Sequence, residues 1–214
     1  MMLHPFELGT QEIFPGFDYR NPRPEICPRL DFRRMDNVVG FQQRAVTNYW
    51  ALKMCSPIDL GIDFGSPKGL TPHCICVDLF GNGKPHPVYG GARYCADVAI
   101  SATDVTHFPE DAWPYIASNH SLEHMRVPGG DAGIVDLLVR WTSLLRQGGV
   151  LAMVIPDNDH IDVLAVDKDH VSAWGAKDFR RRVLDKLLVK RHLEVVEYDT
   201  LQNHFSFNVI LRKC

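Results

Sequence analysis

The sequence predicts an α/β fold built on a mostly parallel sheet, and three observations predict it. Short apolar runs alternate with amphipathic segments from residue 58 onward. One run, 150–155, is apolar at every position, as in a strand buried on both faces of a parallel sheet. The chain closes on two successive strand-like runs, 193–201 and 205–212, that flank Gln202-Asn203 and read as an antiparallel pair. Strands separated by helices return parallel to one another through right-handed crossovers.

Residues 1–40 are rich in Pro, Arg, Phe and Asp, show little periodicity, and are expected to form an irregular arm ahead of a domain over 41–214. A helical pattern runs over 41–55 and stops at Ser56-Pro57, because proline lacks the N–H that would continue it. Strands are expected at 58–64, 73–79, 98–102, 115–118 and 150–155, and the closing pair brings the sheet to seven. A helix is expected over 131–147, with Asp131 as N-cap, Ile134, Leu137, Leu138, Trp141, Leu144 and Leu145 on one face, and Gly148-Gly149 as its stop. A second helix over 176–189 turns Phe179, Val183, Leu184 and Leu187 inward. Its Arg180-Arg181-Arg182 run faces outward, as a solvated face rather than a nucleic-acid site.

Composition narrows the function classes. A chain of 214 residues is long enough for one domain with a large core, and 45% apolar with 23% charged residues is ordinary for a globular protein. A net charge of −3 gives no global reason to expect a nucleic-acid or anionic-membrane partner. The first residues lack the basic and apolar regions of a signal peptide, and no stretch approaches the ~20 apolar residues that span a bilayer. The cysteines at 27, 55, 74, 76, 95 and 214 form no CxxC pair, and Cys74 and Cys76 alternate with Ile75 and Val77 as core thiols on a strand. A cytoplasmic, reduced protein is expected.

Open α/β sheets bind ligands at the carboxyl ends of their strands. Gly61-Ile62-Asp63-Phe64-Gly65-Ser66-Pro67-Lys68-Gly69 is a strand running into a glycine loop, and Gly65 and Gly69 allow close approach of backbone to a ligand. Asp78 ends the next strand, where a carboxylate can accept hydrogen bonds from both hydroxyls of a ribose. The loop is not GxGxxG and no Walker lysine-serine follows, so a phosphate cradle is not indicated.

The most specific segments lie further on. Ser118-Asn119-His120-Ser121-Leu122-Glu123-His124-Met125 closes the fourth strand, and Leu144-Leu145-Arg146-Gln147-Gly148-Gly149-Val150-Leu151 leads to Val154-Ile155-Pro156-Asp157. Together with 97–109, this succession resembles the class I S-adenosylmethionine-dependent methyltransferases over residues 58–212. It looks closest to a small branch with an S-x-H-x-L-E-H signature after the fourth strand, often linked to glycan or small-metabolite modification. The resemblance implies a Rossmann-like, doubly wound, seven-stranded sheet and S-adenosylmethionine as cofactor. It implies that Asp63, Gly65, Ser66 and Gly69 lie beside the methionine part of the cofactor and that Asp78 holds the ribose. Asp104 falls on the adenine amino group, Val105 supplies backbone and apolar contact there, and Asn119 and His120 fall next to the transferred methyl. Two departures stand out: Pro67-Lys68 replaces the usual middle glycine, and the crossover from Asp63 to Asp78 is too short for a full helix.

Methyl transfer from a sulfonium is an in-line displacement, and a hydroxyl acceptor also needs a base with a pKa near neutrality. His120 and His124 lie four apart and share a face if Ser121 to Met125 forms a helical turn, so one of them is the expected base. His160, His170, Trp113 and Trp174 are secondary candidates for the acceptor pocket. No Asn-Pro-Pro-Tyr or Asp-Pro-Pro-Tyr follows the fourth strand and no Pro-Cys dipeptide occurs, which leaves a hydroxyl of a sugar, glycan or small metabolite as the expected acceptor. This reading assigns no metal. Two rivals stand beside it. A methyltransferase-like binding or regulatory domain without catalysis is suggested by Pro67, and a zinc hydrolase by His120-Ser121-Leu122-Glu123-His124, which matches an H-x-x-E-H string.

Overall fold

The computed structural model describes residues 35–66, 71–79, 96–201 and 205–214, with side chains in the first stretch from Arg44 onward. Expectations for the arm up to residue 34 and for Pro67, Lys68 and Gly69 lie outside the described residues. Six strands form one sheet: β1 (Gly61–Phe64), β2 (Cys74–Val77), β3 (Trp113–Asn119), β4 (Leu145–Pro156), β5 (Leu193–Tyr198) and β6 (Ser206–Lys213), in the order β2-β1-β3-β4-β6-β5. β2, β1, β3 and β4 run parallel, and β6 pairs antiparallel with both β4 and β5, as the closing runs predict.

The sheet has six strands among the described residues rather than seven, because the run at 98–102 contributes only one parallel bridge, Val98 to Val77. The Cys76 amide that a neighbouring strand would engage donates instead to Asp97 Oδ2 at 3.1 Å, and a turn closed by Asp104 N to Ser101 O ends the pairing. A side chain has taken the place of a ladder partner.

Helices cover both faces. α1 (Met35–Met54) begins six residues before the expected start and crosses the residue-40 boundary. Its Ala45, Val46, Trp50 and Ala51 pack on Tyr115, Ala117, Val150, Ala152 and Ile210. On the other face, α2 (Asp131–Leu144) buries Ile134, Leu137, Leu138 and Trp141 against Ile62, Phe64 and Ile116. The two faces follow from the pleat, since alternate residues of β3 point to opposite sides. A single turn, α3 (Val163–Val166), follows β4 and is capped by Asp162. Ala176–Phe179, the π-helical Arg180–Leu184 and Asp185–Lys190 run on as one helix, α4, and bury Phe179, Val183, Leu184 and Leu187 as the periodicity predicts.

The double glycine has a different job from the one expected. α2 ends at Leu144, and the chain passes directly into β4. Trp113 pairs with Leu145 and Tyr115 with Val150, so residues 146–149 bulge out of the ladder. Gly148 makes the bulge possible with φ +75°, a conformation that costs other residues strain. Asp131 is the first residue of α2 rather than its cap. Its carboxylate accepts from Trp174 Nε1 at 3.0 Å and from Arg182 Nε at 2.7 Å. Arg180 pairs with Asp185 and Arg181 with Asp178, which accounts for the arginine run as a neutralised surface. No described helix is long and apolar enough to cross a membrane.

Candidate functional site

In this strand order the chain reverses direction between β1 and β3, and the crevice beyond their carboxyl ends is where such sheets take ligands. Gly65 leaves β1 with φ +79° and donates its N–H to Val77 O of β2 at 2.8 Å. A Cβ on Gly65 would lie 2.3 Å from the Ser121 Cβ. Ser121 Oγ donates to Phe64 O at 2.8 Å and bonds Ser118 Oγ at 2.7 Å, so the loops after β1 and β3 are locked to one another.

Asp63 is fully buried on the α1 side of β1. Thr71 Oγ1 donates to its Oδ2, and Arg44 Nη1 lies 3.8 Å from the same oxygen while donating to Ser66 Oγ at 2.9 Å. Desolvation raises the Asp63 pKa, and the Arg44 charge opposes that rise. Its Oδ1 has no partner among the described residues. Asp63 and Ser66 therefore brace the glycine loop from behind, with Arg44 as a cation that sequence reasoning missed. Asp78 directly follows β2, is 9% exposed, and lies close enough to Asp63 for their charges to interact. Asn119 ends β3, is buried, and leaves its Nδ2 without a partner among the described residues. Gly65, Asp78 and Asn119 thus follow or close three adjacent strands at the same edge of the sheet.

Asp104 and Val105 are placed differently from that group. Asp104 Oδ1 accepts from Thr106 Oγ1 at 2.6 Å and from Thr106 N at 3.3 Å, and half of its side chain is exposed. The Thr106 bonds hold its pKa below the usual carboxylate range. Val105 is buried in the core cluster. Trp113 sits at the opposite end of β3 against Phe108, and Trp174 is buried beside Phe179, so both are core aromatics rather than acceptor-site walls.

The H-x-x-E-H string does not lie on a helix. His120 takes a left-handed conformation, φ +50°, and donates its N–H to Val154 O at 2.9 Å, and only Leu122–His124 forms a turn of 3-10 helix. The expected helical face shared by His120 and His124 is therefore not formed. Instead, three imidazoles surround Glu123 Oε1: His120 Nδ1 at 3.9 Å, His124 Nε2 at 4.0 Å and His170 Nε2 at 3.7 Å. Glu123 is fully buried, and neither carboxyl oxygen has a hydrogen-bond partner among the described residues. Desolvation pushes its pKa up to about 8. Desolvation also lowers the pKa of His120 and His124. Arg44 adds to the effect at His120 and the neighbouring His170 to both, and with a third of each side chain open to solvent both rings remain neutral near pH 7.

His120 Nε2 bonds Ser206 Oγ of β6 at 2.7 Å. His170 is 8% exposed in its side chain and its Nδ1 donates to Val163 O at 2.6 Å. Val171 N and Ser172 N both donate to Glu123 O, at 2.9 and 3.2 Å, and these bonds carry the loop after β4 onto the turn after β3. His160 stands apart, bonded to Asp157 Oδ2 and nearly half exposed.

No protein-family model matches this sequence, and no curated protein matches it. Solved structures share its fold. A S-adenosylmethionine-dependent methyltransferase from Archaeoglobus fulgidus superposes with TM-score 0.52 at 14% identity, over 76% of this chain and 88% of that one. Geranyl diphosphate C-methyltransferase from Streptomyces coelicolor A3(2), in complex with Mg2+, geranyl diphosphate and S-adenosyl-L-homocysteine, gives TM-score 0.59 at 11% identity over 86% and 82%. 1,6-Didemethyltoxoflavin-N1-methyltransferase from Burkholderia thailandensis, with bound 1,6-didemethyltoxoflavin and S-adenosylhomocysteine, gives TM-score 0.50 at 14% identity over 100% and 92%. The chain has the Rossmann-like α/β fold of these methyltransferases.

Proposed function

We propose that this protein is an S-adenosylmethionine-dependent methyltransferase that methylates an oxygen of a small molecule, a sugar or glycan hydroxyl included. The observation that carries the reading is the meeting of Gly65, Asp78 and Asn119 at the carboxyl ends of β1, β2 and β3. The glycine loop, with Gly65, Ser66 and Gly69 braced by Asp63, takes the methionine part of the cofactor, and Asp78 accepts from the ribose hydroxyls. The adenine lies over the turn that carries Asp104 and Val105. The unpartnered Asn119 amide donates to a carboxylate or hydroxyl beside the methyl. Ser118 to His124 is the S-x-H-x-L-E-H signature of the branch, and the free thiols of Cys55, Cys74, Cys76 and Cys214 suit the reducing cytoplasm.

The acceptor side is formed by the turn after β3 and the loop after β4. The contact of His120 Nε2 with Ser206 Oγ at 2.7 Å holds the ring, and with Ser206 as acceptor Nδ1 carries the lone pair on the side of Glu123. Burial holds the His120 pKa down to about 3, so in this reading the in-line attack draws mainly on alignment, with Nδ1 accepting the hydroxyl proton as the oxygen–methyl bond forms. Leu164 and Val166 of α3, with Val171 and Phe205 of the adjoining loops, are exposed apolar residues, which favours an acceptor with an apolar portion over a bare sugar.

Calorimetric titration with S-adenosylhomocysteine tests the reading. One-to-one binding is expected, and no binding at millimolar ligand overturns it. Asp78→Ala is then expected to weaken binding by about 10- to 100-fold, the cost of about 1–3 kcal/mol for leaving ribose hydroxyls unpaired. An unchanged dissociation constant would remove Asp78 from the ribose.

A further inference from the structure

We propose that Glu123, His124 and His170 form a binding site for a divalent transition-metal cation, with open coordination positions on the acceptor side of the crevice. One ligand atom from each of the three residues lies within 4.8 Å of the other two. Glu123 is completely buried, yet both of its oxygens lack a hydrogen-bond partner among the described residues. Such an orphaned carboxyl is costly and calls for a counter-group. Its neighbours do not supply one by hydrogen bonding, since the approaches of His124 and His170 at 4.0 and 3.7 Å exceed hydrogen-bond reach.

Those separations suit an ion between the groups. Bonds of ~2.0–2.2 Å to nitrogen and oxygen place tetrahedral ligand atoms about 3.4 Å apart, so the Glu123 separations of 4.0 and 3.7 Å and the 4.8 Å span of the three ligand atoms must contract on binding. The tautomer of His170 points the same way. Its Nδ1 hydrogen goes to the Val163 carbonyl, which can only accept, so Nε2 turns a lone pair toward Glu123 Oε1. At 3.7 Å that lone pair and Glu123 Oε1 are beyond hydrogen-bond reach of one another, and a cation between them turns both into ligands as the carboxyl gives up its proton. An imidazole that donates its second N–H to a backbone carbonyl is also the usual outer support of a metal-bound histidine. The Asp167 carboxylate adds negative charge near both Glu123 and His124.

Two imidazoles and one carboxylate suit Mn2+, Fe2+, Co2+ or Zn2+ better than Mg2+ or Ca2+, which prefer oxygen throughout. Three protein ligands leave positions for an oxygen of the acceptor, whose hydroxyl the ion would acidify beside His120. That role rests on the methyl-transfer reading above; the binding of the ion does not.

The test uses the full chain, stripped of metal and titrated with Mn2+ and with Co2+ by calorimetry and visible absorption. One ion per chain is expected, with a Co2+ spectrum free of thiolate charge-transfer bands. Bound Mn2+ is expected to enhance water-proton relaxation, because open positions carry exchanging water. Glu123→Gln and His170→Ala are each expected to weaken binding by about 100-fold or more, while His160→Ala binds as the wild type does. If Glu123→Gln fails to fold, His124→Gln, whose ring is one-third exposed, carries the same test. Absence of stoichiometric binding overturns the site, as does unchanged affinity in folded Glu123→Gln and His170→Ala. Binding without relaxation enhancement overturns the open positions. A parallel S-adenosylhomocysteine titration separates the two readings: nucleoside binding without metal binding defeats the site alone, and metal binding without nucleoside binding defeats the methyl-transfer reading alone.

Discussion

Replacing Gly65 by alanine is expected to lower stability by about 3 kcal/mol and to reduce S-adenosylhomocysteine affinity by more than ten-fold. Two independent terms add. A left-handed backbone costs a non-glycine residue about 1–2 kcal/mol, and Gly65 sits at φ +79°. The new methyl would also fall 2.3 Å from the Ser121 Cβ, which is anchored by its own backbone and cannot swing aside. Forcing extra volume into such a place costs about 1–3 kcal/mol. For a chain of this size a loss near 3 kcal/mol lowers the melting temperature by roughly 10 °C. The affinity suffers because the glycine loop and the turn after β3 must separate, and both are placed against the ligand in the proposed mode. Ser121→Gly combined with Gly65→Ala isolates the steric term. The double variant is expected to lose less than the sum of the single losses, since the clash disappears while the backbone strain and the lost Ser121 bonds remain. A melting temperature within about 2 °C of wild type for Gly65→Ala would show that the two loops are not locked as described.

The strand positions were legible because each buried strand left an apolar run of the right length, and 150–155 is the clearest case: every one of its residues is buried. The third expected strand was illegible for a local reason. Val98 and Ile100 look like strand residues, but Asp97 satisfies the neighbouring amide with its side chain, an exchange that no apolar pattern records. Gly148-Gly149 was misread because a helix stop and a β-bulge draw on the same freedom at positive φ. The places of Asp78 and Asn119 at the carboxyl ends of their strands were legible, because each directly closes an apolar run. The bonds of Asp104 to Thr106 were not legible, because an aspartate that bonds the backbone two residues on looks the same in sequence as one whose carboxylate is free. Glu123 was visible as a letter of a motif but not as a carboxyl without partners. His170, 47 residues later (170 − 123), reaches it only through the backbone bonds of Val171 and Ser172 to Glu123 O. Arg44 likewise meets Asp63 and Ser66 through the packing of α1 on the sheet.

Trp141→Ala is expected to cost about 3–5 kcal/mol, the range for removing a fully buried large side chain. Trp141 has no exposed surface and stacks on Phe64 with centroids 4.8 Å apart and planes 18° from parallel. Its Nε1 donates to Ala102 O at 2.9 Å. One side chain of α2 thus supports both the residue just before the glycine loop and the turn that carries Asp104 and Val105. The melting temperature is expected to fall by roughly 10–15 °C, at about 2–4 °C per kcal/mol for a domain of this length. Trp141→Phe separates the two contributions. It keeps most of the stack on Phe64 but orphans the Ala102 carbonyl, at a cost of about 1–3 kcal/mol. If the turn over 101–105 cradles the adenine as proposed, Trp141→Phe should weaken S-adenosylhomocysteine binding by several-fold while leaving the Mn2+ affinity of the Glu123 cluster unchanged. Equal loss in both titrations would mean that the substitution loosens the whole sheet edge. Loss in neither would place the adenine away from the turn.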